Sequence, residues 1–486
     1  DWSSDVCSSD LAKDFDDAIW ATFDTDPRNP GGWRAVVAIA DVAYYVQNAD
    51  ALDQAAYERG NSVYFADRVV PMLPEALSNE LCSLKPDQDR ACLAVEMIIS
   101  AEGKIKSHHF KRGLMRSKAR LTYAQVHNAI KGDFDKVTKP LWKEVLQPLY
   151  GVYQSLLKAR QKRGTLDLNI PERQVIFNDQ GHITAVKPRD RYESHQLIEE
   201  LMIAANVCAA KTLLAKKFPT LFRVHDQPET TRVENLKTVL KSLKIQVPKV
   251  KTPTPPHFQS ILESVKESPY QQLINDLVLR SQAQACYSPK NIGHFGLSLA
   301  DYCHFTSPIR RYADLIVHRG LIASLSLGKD GHDYILETLE NIGTHISATE
   351  RTAVVAEREV NDRLMSAFLE AHLGEVFQGT IVGVTGVGIF ISLNESGAQG
   401  FIPKSRLGGD FYVYNVDQHQ YRGQRTKKIY QLGQAVTVRL DASDPISCST
   451  TFSLNVERTL KKVEKKAGKE RFEKKSKVKN SKKKRA

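Results

Sequence analysis

The sequence predicts an α+β protein, with a large domain built on a mixed sheet surrounded by helices, then a small all-β barrel and a basic tail. Three observations predict this class. The 486-residue chain is longer than the size at which a single core keeps growing. Apolar β-branched runs alternate with stretches of helical periodicity, and short β runs separated by glycines begin near Gly374.

The large domain is predicted from strand and helix signals in chain order. The run "WRAVVAIADVAYYV" from Trp33 suits a buried strand, and "SVYFADRVVPMLP" continues until its prolines end it. Helical periodicity covers about 123–163 and the stretch "SHQLIEELMIAANVCAAKTLLAKKF". Further helices are expected from Asp314 and through "ISATERTAVVAEREVNDRLMSAFLEAHL". The following segment, about 80 residues of short strands and turns, predicts the barrel.

Composition narrows the class of protein. No apolar run approaches the roughly 20 residues that span a bilayer, and the N-terminus has no secretory signal pattern, so we expect a cytoplasmic protein without membrane contact. The seven cysteines are scattered, odd in number and never spaced C-x-x-C. This pattern argues against a disulfide framework or a zinc site and predicts reduced, buried thiols.

Both termini differ in character from the rest of the chain. Residues 461–486 contain 14 Lys or Arg against three Glu, so nearly all of the net charge of +12 lies there. We expect this tail to be disordered and to contact nucleic acid, or alternatively to act as a solubilising terminus. Residues 1–11, "DWSSDVCSSDL", match the translation of a sequencing adapter, and we expect them to be foreign, with the natural N-terminal part missing.

An acidic cluster lies directly after this N-terminal segment. Asp14, Asp16 and Asp17 stand within "AKDFDDA", and in an extended segment Asp14 and Asp16 project to one face. Carboxylate oxygens are the ligands that Mg²⁺ prefers, and phosphoryl chemistry uses such an ion. The cluster therefore indicates a metal site, with an exposed turn or a helix N-cap as the alternative.

A second cluster is cationic. In "HFTSPIRRYADLIVHRG", Arg310, Arg311, His318 and Arg319 surround a Ser-Pro step at the start of a helix. Guanidinium groups bind phosphate bidentately, so this group predicts an anion clamp, with a surface ion-pair network as the alternative. The presence of both a carboxylate cluster and an arginine cluster in one chain favours an enzyme that acts on phosphodiester bonds.

Several longer strings carry a family resemblance. They include "AKDFDDA", "VAIADVAYYV", "RGNSVYF", "PMLPEALSNELCSLKP", "LIEELMIAANV", "LFRVHDQP", "GHFGLSLADYCHFTSPIRRYADLIVHR" and "AEREVNDRL". Over residues 12–372 the chain resembles the catalytic RNB domain of the RNase II/RNase R exoribonuclease family, and it is most similar to the bacterial RNase R branch. Residues 373–456 resemble an S1 RNA-binding domain of the OB-fold type, which leaves 457–486 as the lysine-rich tail.

The resemblance implies an activity. Members of this family degrade RNA processively from the 3′ end with Mg²⁺ and release nucleoside 5′-monophosphates. It therefore implies an enclosed RNA channel, two bound Mg²⁺ ions, single-stranded 3′ ends of RNA as the partner, and a monomer. Two alternatives remain open: a non-catalytic RNA-binding protein with a defective metal site, and a nuclease that acts on DNA.

Residue roles follow from the matching motifs. The resemblance makes Asp17 a metal ligand, Asp14 a supporting ligand, Asp16 the group that positions the attacking water or metal, and Arg310 the group that grips the scissile phosphate. Arg311, His318 and Arg319 are expected to contact RNA beside it.

Further residues match positions that contact the RNA itself. Tyr64 matches a tyrosine that stacks on the 3′-terminal base, with core packing as its alternative role. Glu357, and Glu199 or Glu200, match acidic residues that contact sugars near the 3′ end, where a 2′-hydroxyl distinguishes RNA from DNA.

The barrel has its own candidates. Phe390 falls where S1 domains expose an aromatic ring for base stacking, and Lys404 follows Phe401 at a neighbouring strand end. Both phenylalanines could instead fill the barrel.

The chain departs from the family pattern at two positions. The first active-site aspartate of the family corresponds to Ser8, which cannot supply an anionic ligand, so we expect weak metal binding by this chain. Leu168 stands where relatives often carry an aromatic that sandwiches the terminal base.

Overall fold

The predicted α+β class is confirmed. The computed structural model describes residues 13–168, 170–247, 250, 252–416 and 418–454. These form a large domain of helices around a four-stranded sheet, followed by a closed β-barrel. Within these residues, no helix is both long enough and apolar enough to cross a membrane.

The central sheet has the strand order β1-β2-β5-β6 and is antiparallel at every pairing. Its strands are β1 (Asp17–Phe23), β2 (Trp33–Ala40), β5 (Asp89–Ile99) and β6 (Ile105–Arg116). The sequence predicted a mixed sheet instead. Both outer pairs join strands that are consecutive in the chain, and short connections of this kind favour antiparallel pairing.

Side chains alternate across this sheet with the two-residue period of a strand. Ala35, Val37 and Ile39 of β2 are fully buried against helices, whereas Val36 and Ala38 between them face a cleft. Helix α5 (Gln147–Arg163) crosses β2 so closely that a Cβ on Gly151 would lie 2.2 Å from the Trp33 ring. One face of the sheet therefore packs in the hydrophobic core, and the other face forms the floor of the cleft.

The remaining helices surround the sheet. In chain order they are α1 (Val42–Tyr45), α2 (Ala51–Arg59), α3 (Tyr123–Ile130), α4 (Thr138–Leu141), α6 (Glu193–Ala215), α7 (Thr230–Ser242), α8 (Pro255–Ser264), α9 (Gln271–Ser281), α10 (Tyr312–Ser324) and α11 (Leu336–Glu370). Two π-helical turns also occur, at Ala76–Leu81 and Trp142–Leu146.

Three two-stranded ribbons complete the large domain. They are β3 (Val63–Tyr64) with β4 (Val69–Val70), β7 (Arg173–Phe177) with β8 (Ile183–Pro188), and β9 (Phe222–Val224) with β10 (Cys286–Ser288). The cysteines of the described residues carry free thiols, and Cys82, Cys92, Cys208 and Cys303 are buried, as predicted.

The predicted OB-type barrel is confirmed as a closed sheet in the order β11-β12-β13-β18-β17. Its strands are β11 (Val376–Thr385), β12 (Gly388–Leu393), β13 (Gln399–Pro403), β17 (Ala435–Asp444) and β18 (Ser449–Ser453), with a 3₁₀ turn at Lys404–Arg406. Between β13 and β17 the chain adds a separate sheet of β14 (Tyr412–Asn415), β15 (Gln420–Gly423) and β16 (Ile429–Gln431).

The barrel packs directly on the large domain. Leu273 of α9 and Leu369 of α11 are buried within the barrel's own apolar cluster. The Ser443 hydroxyl donates to the backbone carbonyl of Ser366 at 2.9 Å. These contacts hold the barrel against the end of α11.

Candidate functional site

The large domain contains a cleft of about 1070 Å³. Its floor includes β1 and the cleft face of β2, and its walls come from the segment after β6, from α6 and from the Ser-Pro-Ile-Arg corner at 307–310. Asp14, Asp16, Asp17 and Arg310 all line it. The two clusters predicted from the sequence therefore share one cavity.

The acidic segment is fixed by backbone contacts on both sides. The Phe15 N–H donates to Ser83 Oγ at 3.0 Å, and the Phe15 carbonyl accepts from the Leu84 N–H at 3.0 Å. The Asp16 carbonyl accepts from the Ala40 N–H at 2.8 Å. The segment thus continues the edge of the sheet and presents its carboxylates to the cleft.

The arginine corner is joined to the acidic segment through a side chain. The Ile309 N–H donates to Asp16 Oδ1 at 2.9 Å, and both residues are buried. Arg310 is half-buried and donates to Ser307 Oγ at 3.2 Å. Asp16 therefore fixes the backbone from which the Arg310 guanidinium reaches the cleft.

The three carboxyl groups lie in an environment that disfavours their charge. Burial raises the pKa of Asp14 and Asp17, and it raises the pKa of Asp16 well above its usual range. The Arg310 charge opposes this shift at all three groups. A site of this kind gains stability from a bound cation, because the cation relieves the desolvated negative charge.

The donor set fits a hard divalent ion that is shared with a substrate. Within the described residues no three His, Cys, Asp or Glu side chains converge as a ready-made metal cage. Mg²⁺ is commonly held by one or two carboxylates together with substrate phosphates and water, not by a complete protein cage. Asp14 and Asp17 provide two such carboxylates on the cleft surface.

Arg311 belongs to the structure of the corner and not to the cleft surface. Its Nε donates to Asp314 Oδ2 at 2.8 Å, and Asp314 Oδ1 accepts from the Ser307 N–H at 2.7 Å. Asp314 is fully buried. Its guanidinium neutralises the carboxylate that shapes the turn, and contact of Arg311 with RNA stays a prediction.

The structure contradicts the predictions that His318 and Arg319 contact RNA. Both side chains are 0% exposed, because α10 is buried around almost its whole circumference. His318 Nε2 hydrogen-bonds with the Phe305 carbonyl at 2.8 Å. Arg319 pairs with Asp53 at 2.8 Å and donates to the Val46 carbonyl at 2.8 Å. Neither side chain can reach a ligand in the cleft.

The two adjacent glutamates of α6 separate into different roles. Glu199 lines the cleft, whereas Glu200 is only 3% exposed and lies behind it. Arg160 donates to Glu199 at 2.9 Å and to Glu200 at 2.6 Å. Burial raises the pKa of Glu200 despite that partner. Of the two candidates, only Glu199 is placed to meet a ligand.

Tyr64 and Glu357 form a pair outside the residues that line the cleft. The Tyr64 N–H donates to Glu357 Oε1 at 2.8 Å, which brings the β3–β4 ribbon onto α11. Two residues earlier, the Ser62 N–H donates to the Arg310 carbonyl at 3.0 Å. The pair is therefore connected to the arginine corner through the backbone, and both side chains are half-buried.

Sequence reasoning missed two groups on the cleft wall. Arg116, Lys118 and Arg120 alternate from the last residue of β6 into the segment that follows, and Arg120 lies 4.8 Å from the Phe15 ring centroid. The alternation of cations in "RSKAR" was the signal that could have found them. Tyr123 and His195 stack at 4.0 Å and also line the cleft, a contact that no sequence spacing reveals. Leu168 is a buried part of the lining.

On the barrel, Phe390 is 41% exposed on the outer face of β12, beside Phe401 at 5.0 Å. Lys404 is exposed and lies 5.4 Å from the Phe411 ring centroid. Phe390 therefore does not fill the barrel. Ser8, the predicted foreign segment and the basic tail lie outside the described residues.

Comparison with known protein families finds two matches. Residues 6–326 match the RNB domain, and residues 370–444 match the S1 RNA binding domain.

The chain is also similar to individual proteins and to solved structures. It is 40% identical over 454 residues to Ribonuclease R of Escherichia coli K12, covering 91% of this chain and 55% of the relative. The chain thus spans about half the length of that curated relative. Among solved structures, Mycoplasma genitalium RNase R in complex with ribose methylated single-stranded RNA superposes with a TM-score of 0.85 at 30% identity, covering 92% of this chain and 69% of the other. The same protein in complex with double-stranded RNA gives a TM-score of 0.79 at 28% identity, covering 92% and 74%.

Proposed function

This chain belongs to the RNB domain family, and on that premise we propose that it is a hydrolytic exoribonuclease that shortens RNA from the 3′ end and releases nucleoside 5′-monophosphates. The observation that carries the proposal is the shared cleft. Asp14, Asp16 and Asp17 face the same cavity as Arg310, and Asp16 is hydrogen-bonded to the backbone beside that arginine. Carboxylates opposite a guanidinium group suit an anionic phosphodiester whose hydrolysis needs a cation.

Each residue of the cleft has a role that follows from its position. Arg310 holds the scissile phosphate, because its planar fork can donate two parallel hydrogen bonds to phosphate oxygens. Asp14 and Asp17 would hold Mg²⁺, and we propose a two-ion site completed by the phosphate itself. The bound metal would lower the pKa of water and stabilise the leaving oxygen. The Asp16 charge would position the attacking water or metal, and its hydrogen bond to the Ile309 N–H keeps the arginine corner in register with these carboxylates.

The cleft walls suit a single RNA strand. Glu199 offers a carboxylate that can accept from a 2′-hydroxyl, which supports RNA over DNA as the substrate. The stacked Tyr123 and His195 rings provide an aromatic surface beside it. Tyr64 and Glu357 would contact the 3′-terminal nucleotide from the side of the arginine corner. Processive shortening follows if the strand stays bound between these walls after each cleavage.

The barrel and the tail would hold the RNA outside the cleft. We assign Phe390 to base stacking, because its ring is exposed, and Lys404 to phosphate contact. The proposed boundaries are 12–372 for the RNB domain and 373–456 for the S1 domain, supported by the end of α11 at Glu370 and the start of β11 at Val376. We further propose that the chain works as a monomer in the cytoplasm, in keeping with its free thiols.

A second candidate function is RNA binding without hydrolysis. Ser8 stands at the position that the resemblance gives to the family's first aspartate, and a serine cannot supply an anionic metal ligand. This difference favours weak metal retention. The substitution Ser8→Asp separates the candidates, because an added carboxylate restores Mg²⁺-dependent hydrolysis only if the rest of the site is competent.

The test uses single-stranded RNA labelled at its 5′ end, incubated with Mg²⁺ and either the chain as given or its Ser8→Asp variant. We expect stepwise shortening and mononucleotide products, stronger with Ser8→Asp. Internal cleavage would contradict the proposal, and intact RNA with both proteins would favour the binding function. The matching deoxy-oligonucleotide tests RNA preference, and cleavage of DNA at an equal rate would contradict it.

A further inference from the structure

The Ser83 hydroxyl forms two hydrogen bonds with the acidic segment. It donates to the Lys13 carbonyl at 2.6 Å and accepts from the Phe15 N–H at 3.0 Å. These two groups belong to the peptide units on either side of Asp14. Because a peptide unit is planar, holding both units restricts the two backbone dihedral angles of Asp14. The hydroxyl therefore fixes the direction in which the Asp14 side chain leaves the backbone.

Asp17 is fixed in a different way. It is the first residue of β1, and it pairs with Ile39 of β2 in the central sheet. Asp14 lies three positions before β1, so strand pairing does not determine its direction. Ser83 makes the corresponding contacts for Asp14 from the segment that precedes β5. The two carboxylates thus reach one cleft from backbones that are held by different parts of the fold.

Ser83 is itself held in place. Its carbonyl accepts from Arg90 Nε at 3.0 Å and from the Lys85 N–H at 2.8 Å. Its neighbours Cys82 and Leu84 are buried in one apolar cluster, and the Ser83 side chain is 0% exposed. Because it is fully buried, the hydroxyl cannot contact RNA or a cation in the cleft. Its effect on a ligand in the cleft is therefore exerted through Asp14.

We propose that Ser83 is a positioning residue for the two carboxylates that hold the divalent cation. Its hydroxyl keeps the Asp14 carboxylate aimed at the position where Asp17 can bind the same ion. Mg²⁺ requires near-ideal octahedral geometry, so a small rotation of one ligand lowers its affinity. The role of these carboxylates rests on the proposed function. Ser83 acts on cation affinity and not on RNA affinity.

The chain offers a matched control for the loss of this hydroxyl. Ser347 is also buried, and its hydroxyl accepts from the Tyr287 N–H at 2.9 Å and donates to the Gly343 carbonyl at 2.6 Å. Ser347 lies on α11, which contributes no residue to the described lining of the cleft. Ser83→Ala and Ser347→Ala therefore remove the same two kinds of hydrogen bond, but only the first affects the acidic segment. Ser83→Thr keeps a hydroxyl at the position.

The experiment measures Mn²⁺ binding to the full chain without RNA, by electron paramagnetic resonance of the free ion, so that no turnover occurs. Each substitution is made both in the chain as given and together with Ser8→Asp, which adds a carboxylate to the proposed site. Two further measurements use the same proteins. Urea denaturation gives the unfolding midpoint, and fluorescence anisotropy in EDTA gives the affinity for a short single-stranded RNA.

We expect Ser83→Ala to bind Mn²⁺ about tenfold more weakly, while its RNA affinity in EDTA stays unchanged. Ser347→Ala should keep the original Mn²⁺ affinity, although both alanine variants should lower the urea midpoint to a similar extent. Ser83→Thr should bind Mn²⁺ like the original chain. Equal Mn²⁺ affinity of Ser83→Ala and Ser347→Ala would overturn the proposal. A loss in Ser83→Thr as large as in Ser83→Ala, at an unchanged urea midpoint, would also overturn it.

RNA hydrolysis is measured separately as a function of Mg²⁺ concentration. Mn²⁺ affinity that depends on Ser83, in a chain that hydrolyses no RNA, would contradict the proposed activity and support the role of Ser83. Hydrolysis by Ser83→Ala that needs no more Mg²⁺ than hydrolysis by the original chain would support the activity and reject that role. Absence of Mn²⁺ binding by every protein, with Ser8→Asp included, would overturn both.

Discussion

The Asp16 carboxylate accepts a hydrogen bond from the Ile309 N–H at 2.9 Å, between residues 293 positions apart in the chain. This contact joins the acidic segment before β1 to the corner that carries Arg310. Because both partners are buried, the two halves of the site hold one relative position. The geometry of the cleft depends on this hydrogen bond.

Asp16→Asn should abolish RNA hydrolysis and leave RNA affinity within about twofold, because the amide oxygen can still accept from Ile309 while the charge is lost. Asp16→Ala removes the acceptor and leaves a buried N–H unsatisfied, which should lower the free energy of unfolding by about 1–3 kcal/mol. Anisotropy in EDTA and urea denaturation measure the two effects. An equally large loss of RNA affinity in Asp16→Asn would contradict this account, because it would show that Asp16 contributes to RNA binding.

Arg310→Lys should reduce the turnover of short RNA by about 100-fold or more, because a lysine keeps the charge but cannot donate a bidentate fork to the phosphate. The free energy of unfolding should be unchanged, since Arg310 is half-buried at the cleft surface. Single-turnover hydrolysis with saturating Mg²⁺ measures the loss. Arg28→Lys, on an exposed side chain, is the matched control, and equal activity of the two variants would remove Arg310 from the site.

Arg319→Met should lower the free energy of unfolding by about 3–5 kcal/mol, because it leaves the buried Asp53 carboxylate without its positively charged partner. The folded variant should bind RNA normally. Urea denaturation and anisotropy are the measurements, with Arg28→Met as the exposed control. A variant that is fully stable but binds RNA weakly would restore the role that the sequence predicted for Arg319.

Acid should destabilise the fold through His332. Burial, with the Arg319 charge as a smaller cause, lowers the pKa of His332 from 6.5 to about 4, and the nearby Asp333 acts in the opposite sense. The unfolded chain therefore binds a proton first as the pH falls below about 6.5, so stability is present above that pH and is lost on the way down to about 4.

The loss attributable to His332 is at most about 3.5 kcal/mol. We expect His332→Gln to flatten the fall in unfolding free energy between about pH 7 and pH 5. His182→Gln, on an exposed loop, should leave the pH profile as it is. Identical profiles for the original chain and His332→Gln would contradict this account.

The pattern of apolar residues in the sequence predicted most of the fold. A continuous apolar and β-branched run predicted β2, and glycine-separated short strands predicted the barrel. The direction of strand pairing in the central sheet did not follow, because the pattern within one strand does not define the direction of its neighbour.

The site was predicted only through the resemblance. Spacing alone left Asp14, Asp16 and Asp17 as a turn or a metal site, and it could not show that they meet Arg310. The errors at His318 and Arg319 have a physical cause. Two charged residues next to each other on a helix normally indicate a face that is exposed to solvent, but His318 and Arg319 contact buried partners. Asp53, which neutralises Arg319, lies 266 positions earlier in the chain, so local sequence could not reveal this pair.

The central claim is that a divalent ion binds between the Asp14 and Asp17 carboxylates while Arg310 holds the phosphate. The most direct measurement is anomalous diffraction from crystals of the Asp16→Asn variant grown with RNA and Mn²⁺. The account predicts an anomalous peak about 2.1–2.5 Å from carboxylate oxygens of Asp14 and Asp17, with a backbone phosphate in contact with both the ion and Arg310. Mn²⁺ bound elsewhere, with no phosphate beside Arg310 in a cleft that contains RNA, would contradict it.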